Sequence, residues 1–216
     1  MTIKLIMFDL DGTLVDTAQD IRNALNFALK PYDLKSLTME DTIKMIGEGV
    51  SRLVEKVLPL EKMHLKIDVM NRFLEYYSEH LIDNSKEYPH IKETLENLTY
   101  LKKAVISNKR EDLSKRLLEE LSLSEYFDLI IGSDTAGERK PSAVPILYVI
   151  SKLGESPEES IIVGDSHYDI EAGKNAGIKT VAVTYGYRPR ESLLKADYII
   201  DDIRELVPLL NKISET

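Results

Sequence analysis

The stretch KLIMFDLDGTLVDT, residues 4–17, decides the fold of this chain. It begins as an uninterrupted apolar run, which is typical of a strand buried on both faces of a parallel sheet. Three carboxylates then follow within eight positions, namely Asp9, Asp11 and Asp16. In an open α/β sheet, ligands bind beyond the carboxyl ends of the strands. We therefore expect Asp9 and Asp11 to lie at a binding edge of the sheet.

Short apolar runs recur along the second part of the chain. After a first strand over residues 3–8, they occupy residues 104–106, 129–131, 161–163 and 180–183. Amphipathic segments separate them at residues 111–121, 142–153 and 167–176. Alternation of strand and helix patterns favours a doubly wound, mostly parallel sheet. The predicted fold class is therefore α/β, with a Rossmann-like core sheet.

Residues 17–83 have a different pattern. Apolar residues recur every four positions between Ile21 and Leu29, and a capping pattern at Thr38 and Asp41 opens another helix. Strand character is weak throughout this segment, so we predict an inserted, all-helical cap domain. The predicted domains are the helical insert, residues 16–85, and an α/β core of residues 1–15 and 86–216.

Composition excludes several kinds of protein. With 43% hydrophobic residues among 216, the chain can bury a full core. It has no cysteine, and its four histidines form no pair at metal-ligand spacing, so any metal would be held by oxygen. A net charge of −9 argues against nucleic-acid binding. Only a few apolar residues precede Asp9 and no run could cross a bilayer, so we expect a soluble, cytoplasmic protein, either monomer or homodimer.

Polar residues also follow other predicted strands. Ser107 and Asn108 follow the second and Asp165 follows the fourth, while Lys140 lies in a loop between elements. Each has an ordinary explanation, because Asp, Asn and Gly form turns and caps and a loop lysine is usually solvated. Together, at one edge of a sheet, they fit a single chemistry, which is phosphoryl transfer through an aspartate.

A phosphate monoester is a dianion, so attack by a carboxylate requires a divalent cation and fixed donors. Mg²⁺ prefers an oxygen octahedron, which carboxylates and a carbonyl supply without Cys or His. Asp9 would be the nucleophile that forms an aspartyl phosphate. Asp11 would protonate the departing alcohol and then take a proton from the attacking water.

The remaining candidates would bind the phosphate or support the metal. Gly12 lets backbone N–H groups approach the phosphate closely. Lys140 would place a positive charge beside the phosphate and Asp9. The other predicted phosphate contacts are Thr13, Ser107 and Asn108, and the other predicted metal contacts are Asp165 and Asp169.

Four segments carry a resemblance to a known family. They are DLDGTLVDT (9–17), VISNK (105–109), RKPSAVP (139–145) and GDSHYDIEAG (164–173). In this order they resemble the four motifs of the haloacid dehalogenase superfamily of phosphatases. The resemblance implies that Asp9, the main-chain carbonyl of Asp11 and Asp165 ligate Mg²⁺, with Asp169 close behind. It also implies that the helical insert is a small cap that closes over the active site.

Two further segments, MIGEGVSRLV (45–54) and GIKTVAVTYGY (177–187), resemble phosphoglycolate phosphatases. In such caps a loop containing Gly47 and Gly49, with Arg52 nearby, would face the active site. A guanidinium suits a substrate carboxylate or a second phosphate. The same pattern also describes an ordinary turn between helices with a surface arginine. The expected partner is a small phosphorylated metabolite.

Other activities share these motifs. Relatives with small caps also hydrolyse pyrophosphate, sugar phosphates or nucleotides, and a phosphomutase carries the same aspartates. Asp11 disfavours a dehalogenase, because cleavage of a carbon–halogen bond needs no proton on the leaving group. A receiver domain that is phosphorylated as a switch has a similar sheet, but it has no use for an acid at Asp11 or for a cap.

Overall fold

The computed structural model describes residues 2–214. Its strands are β1 (Leu5–Phe8), β2 (Val15–Asp16), β3 (Lys86–Glu87), β4 (Lys102–Ile106), β5 (Leu129–Ile131), β6 (Ser160–Gly164), β7 (Lys179–Val183) and β8 (Tyr198–Ile200). Its α-helices are α1 (Ala18–Leu29), α2 (Met39–Met45), α3 (Val50–Val57), α4 (Lys66–Glu79), α5 (Ile91–Asn97), α6 (Glu111–Glu120), α7 (Val144–Leu153), α8 (His167–Asn175) and α9 (Leu206–Ser214). Short 3₁₀ helices lie at Lys30–Tyr32, Leu60–Leu65, Ser124–Tyr126, Pro157–Glu159, Arg190–Leu193 and Ile203–Glu205.

Six strands form one parallel sheet in the order β5-β4-β1-β6-β7-β8. All four residues of β1 are buried and apolar, which suits a central strand. In register, Leu5 lies opposite Lys102 of β4 on one side and Ser160 of β6 on the other. Since all neighbours run parallel, the carboxyl ends of the six strands share one edge. The predicted doubly wound α/β core is confirmed.

Helices cover both faces of this sheet. Alternate side chains of a strand point to opposite faces. Accordingly, Ile6 and Phe8 join an apolar cluster with residues of α5, α6 and α9, whereas Leu5 and Met7 join a second cluster with residues of α7 and α8. These two clusters hold β1 rigidly and therefore fix the point at which Asp9 leaves the sheet.

The helical insert has an apolar cluster of its own. Helices α1 to α4 lie between β2 and β3, and α1 packs mainly on α4. Leu25 of α1 and Phe73 of α4 are among its buried residues. The capping pattern is confirmed, because Thr38 Oγ1 accepts from Asp41 N at 3.1 Å and Asp41 accepts from Thr38 N at 3.3 Å. The insert is therefore helical, as predicted.

The two ends of the insert lie side by side. Strands β2 and β3 pair antiparallel, with Val15 opposite Glu87. The carboxylate of Asp20, buried in α1, accepts four hydrogen bonds of 2.7–2.9 Å from the backbone and side chains of Asn84 and Ser85. This carboxylate clamps the start of the insert to its exit. The domain boundaries after residues 15 and 85 stay a prediction.

Several elements were not predicted from the sequence. They are β2, β3, β8, α5 and α9, all of which are short. Two-residue strands contain too few alternations to produce a period, and β8, α5 and α9 produce only a weak one, although β5 and α8 of similar length were predicted. None of the α-helices in residues 2–214 combines the length and the apolar character that a membrane crossing requires.

Candidate active site

The candidate site lies at the carboxyl edge of the sheet. Asp9 follows β1, Ser107 follows β4 and Asp165 follows β6, so three adjacent strands deliver these side chains to one place. A cavity at this edge is lined by all three residues together with Asp11 and Lys140, and its other side is formed by the helical insert.

Asp9, Asp165 and Asp169 form a buried cluster of carboxylates. One oxygen atom of each lies within 4.8 Å of one oxygen of each of the others. Burial raises the pKa of Asp9 to about 7, although Lys140 opposes this shift. Burial, followed by the charges of Asp9 and Asp169, also holds the pKa of Asp165 well above its usual range. Three carboxylates lie close together around the Lys140 ammonium, and this oxygen-only donor set fits a divalent cation such as Mg²⁺.

Lys140 is fully engaged within this cluster. Its ammonium group donates at 2.6 Å to each of three acceptors, Asp9 Oδ1, Asp169 Oδ1 and the carbonyl of Ile106. Burial acts to lower the pKa of Lys140, but Asp169 and Asp9 outweigh it and the net shift is upward. Lys140 therefore stays charged and holds two of the carboxylates in place.

The side-chain amide of Asn108 connects two loops through hydrogen bonds to their backbone groups. Its Oδ1 accepts from Lys140 N at 3.0 Å, and its Nδ2 donates to the carbonyls of Lys140 at 2.9 Å and Gly47 at 2.7 Å. The amide is thus committed to backbone groups. These bonds position Lys140 and attach the Gly47 loop of the helical insert to the core.

The other predicted phosphate contacts differ in their placement. Ser107 lines the cavity, and its Oγ accepts from Lys109 N at 3.1 Å, which leaves the hydroxyl hydrogen able to donate. Gly12 and Thr13 are not among the described residues that line it. The Thr13 hydroxyl is buried without a hydrogen-bond partner in the described part of the chain. The N–H of Gly12 donates to the carbonyl of Val15 at 2.9 Å, and the predicted role of Gly12 beside the phosphate stays a prediction.

The contact with Asp165 gives one reason for a glycine at position 12. The Gly12 φ of +90° is one that residues with side chains rarely adopt, and a Cβ there would lie 2.4 Å from Asp165 Oδ2. The absence of a side chain therefore lets Asp165 approach the turn that follows β1. In this structure Gly12 makes room for the carboxylate cluster.

Asp11 is held by contacts that the sequence did not reveal. Its Oδ1 accepts from Thr17 Oγ1 at 2.6 Å and from Lys109 Nζ at 2.5 Å. Lys109 Nζ also donates to Tyr77 Oη, 2.8 Å away on α4. The Lys109 side chain is only 6% exposed. Burial raises the pKa of Tyr77 to about 12, so its hydroxyl keeps its proton near neutral pH.

The sequence only weakly indicated that Lys109 is part of the site, and it did not indicate that Tyr77 is. Lys109 ends the segment VISNK, where a lysine reads as an ordinary surface residue. Tyr77 repeats an apolar helix position and lies 32 residues away from its partner. Only the tertiary structure brings the two together beside Asp11.

The glycine loop of the insert faces the cavity, as expected. Gly47 and Gly49 both line it. Gly49 has a φ of +79°, and a Cβ there would lie 2.9 Å from the carbonyl oxygen of Asn108. Arg188, which follows β7, donates to two backbone carbonyls at the end of α2, at 2.8 and 2.5 Å. The insert is therefore docked against the core in this conformation.

Arg52 lies elsewhere. Its guanidinium pairs with Glu55 at 2.7 Å, one helical turn further along α3, and its side chain is 56% exposed. It is not among the described residues that line the cavity. Its predicted contact with substrate finds no support in this geometry and stays a prediction.

Tyr187 links the carboxylate cluster to the start of the insert. Its N–H donates to Asp165 Oδ2 at 2.6 Å. Its hydroxyl accepts from Thr17 N at 2.7 Å and donates to Asp16 Oδ1 at 3.1 Å. The segment GIKTVAVTYGY ends at this tyrosine, but the pattern alone did not indicate these partners.

Comparison with known proteins identifies the class. The family profile described as haloacid dehalogenase-like hydrolase matches residues 6–183, most of the chain. A phosphoglycolate phosphatase of Aquifex aeolicus (strain VF5) is 44% identical over 211 residues, which cover 97% of each protein. One of Chromobacterium violaceum is 39% identical over 216 residues, with 96% of each covered. The chain belongs to the haloacid dehalogenase-like hydrolases.

Solved structures agree with this assignment. The crystal structure of a predicted phosphoglycolate phosphatase from Haemophilus somnus 129pt superposes with a TM-score of 0.88 at 31% identity, covering 97% of this chain and 98% of that one. Within the family, the protein described here is a phosphatase.

Proposed function

We propose that this phosphatase hydrolyses phosphoglycolate, with Mg²⁺ bound, through an aspartyl phosphate on Asp9. The observation that carries the proposal is the buried cluster of Asp9, Asp165 and Asp169 around Lys140, open to the same cavity as Asp11. The names of the relatives that match nearly the full length of the chain supply the substrate.

The chain's own groups perform two displacements. In the first, a carboxylate oxygen of Asp9 attacks phosphorus, the bond to the ester oxygen breaks, and Asp11 gives that oxygen a proton. In the second, Asp11 takes a proton from a water molecule that attacks phosphorus. The bond between Asp9 and phosphorus then breaks and inorganic phosphate leaves.

Metal and donors offset the charge of the phosphate. Asp9, Asp165 and the main-chain carbonyl of Asp11 would hold Mg²⁺, with Asp169 behind them. When bound, the ion would offset the repulsion between the dianionic phosphate and the carboxylate of Asp9. Lys140 and the hydroxyl of Ser107 would provide fixed donors at the same place.

Residues 16–85 would act as the cap. Closure of the helical insert over the cavity would exclude water until the phosphoenzyme has formed. The paired strands β2 and β3 would be the place where the insert moves relative to the core. The docked loop that contains Gly47 and Gly49 would then belong to the closed state.

The test is phosphate release by the purified protein with Mg²⁺ and, separately, with EDTA. The substrates are phosphoglycolate, pyrophosphate, sugar phosphates, nucleoside monophosphates and an aryl phosphate. We expect the highest kcat/KM with phosphoglycolate and no release with EDTA. A preference for pyrophosphate or a sugar phosphate would overturn the substrate, and full activity in EDTA would overturn the metal requirement.

A further inference from the structure

A carboxylated substrate needs a group that binds its carboxylate, in addition to the groups that would bind its phosphate. In phosphoglycolate one methylene group separates the ester oxygen from the carboxylate. Standard bond lengths then place the carboxylate oxygens roughly 3–4 Å from the ester oxygen. That ester oxygen must come within hydrogen-bond distance of Asp11 to receive its proton. A group that binds the carboxylate must therefore lie next to Asp11.

Four cationic side chains line the cavity in the described part of the chain, namely Lys109, Arg110, Lys140 and Arg188. The three other than Lys109 make no hydrogen bond or ion pair with Asp11 in the described part of the chain. All three hydrogens of the Lys140 ammonium are used within the carboxylate cluster. Arg188 docks on backbone carbonyls of the helical insert, and Arg110 pairs with Asp112 at the exposed surface. Lys109 remains, and it is the one in direct contact with Asp11.

Lys109 and Tyr77 together offer two donors at this point. Two hydrogens of the Lys109 ammonium go to Asp11 and Tyr77, which leaves the third for a ligand. Because Tyr77 Oη accepts from Lys109, its own hydrogen is also able to donate. Both side chains are buried, and hydrogen bonds to a charged group are stronger when water is excluded.

We propose that Lys109 and Tyr77 bind the carboxylate of the leaving group, and that this pair selects small carboxylated phosphate esters. The assignment rests on the proposed function. Lys109 belongs to the core and Tyr77 to α4 of the helical insert, so the carboxylate site is complete only when the insert lies against the core. Selection of the substrate and closure of the cavity are thereby joined at one pair of side chains.

The test compares phosphoglycolate with ethyl phosphate, which keeps the two-carbon chain but lacks the two carboxylate oxygens. The ratio of the two kcat/KM values is measured for the wild type, Lys109→Met and Tyr77→Phe. We expect the wild type to favour phosphoglycolate. Tyr77→Phe should lower the ratio about tenfold and Lys109→Met more than about tenfold, mainly through the KM for phosphoglycolate.

Tyr76→Phe is the matched control. Tyr76 precedes Tyr77 on α4 and stacks on Phe27 and His80, and it is not among the described residues that line the cavity. Removal of its hydroxyl should leave the ratio unchanged. Circular dichroism and thermal melting of all variants identify any that fail to fold, and Tyr77→Phe keeps the ring that packs on Phe73.

The outcomes separate the two proposals. A wild type without preference for phosphoglycolate over ethyl phosphate would overturn both. A wild-type preference that survives in Lys109→Met and Tyr77→Phe would overturn the carboxylate site and leave the proposed function standing. Equal losses on both substrates would do the same, since the pair would then act only through Asp11. A ratio lowered by Arg52→Ala instead would move the carboxylate site to Arg52.

Discussion

The two sides of the cavity are built in opposite ways. On the sheet side, the buried Lys140 donates hydrogen bonds both to Asp9, which follows β1, and to Asp169, which lies in α8; both carboxylates are buried. On the insert side, the lining is mostly apolar, with Leu53 and Phe73 among its members, and it approaches the core through a glycine loop. The difference teaches that the chemical groups are fixed by the sheet, whereas the helices of the insert shape the space for the rest of the substrate.

The largest effect should come from the sheet side. Asp9→Asn removes the proposed nucleophile, so we expect kcat to fall at least about 10³-fold for every substrate while the fold is kept. Phosphate release in multiple-turnover assays measures this. Asp68→Asn, the same change at an exposed position of α4, should have no effect. A kcat of Asp9→Asn above about one hundredth of the wild-type value would show that Asp9 is not the nucleophile.

The response of the Tm to Mg²⁺ tests the carboxylate cluster on the sheet side of the cavity. Mg²⁺ at about 100 times its Kd should stabilise the protein by about 2.7 kcal/mol, which corresponds to a rise in Tm of roughly 5–10 °C. In Asp165→Asn one of three mutually repelling carboxylates is neutral, so we expect a higher Tm without metal and a weaker response to Mg²⁺. Differential scanning fluorimetry measures both. A wild type that does not respond would contradict a metal site at this cluster.

Asp20 tests how the start of the insert is attached to its exit, separately from the chemistry of the site. In Asp20→Ala four buried or partly buried donors lose their acceptor, and we expect about 2 kcal/mol of destabilisation, or a Tm lower by roughly 4–8 °C. The exposed Asp83, which pairs with His80, provides the control Asp83→Ala with little change in Tm. If Asp20→Ala melted like the wild type, the carboxylate would not be what clamps the insert.

The smallest effect should come from the surface of the insert. Arg52 is exposed and paired with Glu55, so Arg52→Ala should change kcat/KM less than about twofold for phosphoglycolate and for ethyl phosphate. Lys109→Met provides the positive control in the same assay. A large loss confined to phosphoglycolate would contradict this comparison, because a side chain that lies outside the cavity in this structure would then contact the substrate.

The same contrast separates what could be predicted from what could not. Asp9, Ser107 and Asp165 each follow an apolar run, so their common edge could be inferred from strand order rules and from local pattern. In the structure these three residues follow β1, β4 and β6, respectively. The sequence also predicted the helices of the insert, since α1 and α4 are long enough to display a clear period.

Contacts across the chain could not be predicted in this way. Lys109 meets Tyr77 over 32 residues, and Asp20 meets Ser85 over 65. A lysine beside a loop and an aspartate within a helix usually face water, and only packing shows that these two are buried. The contact of Gly12 with Asp165 could not be predicted either, because a glycine that admits a phosphate and one that admits a neighbouring carboxylate look alike in sequence.

The central position of β1 has a consequence for how the molecule is made. Both of its partners lie far ahead in the chain, with β4 beginning at residue 102 and β6 ending at residue 164. On the ribosome, residues 16–85 emerge before either partner, and their helices can pack while β1 is still unpaired. The residue proposed as nucleophile is thus synthesised before both partner strands and reaches its working position only after residue 164 has been added. Until then, the nascent chain has no complete site for phosphate.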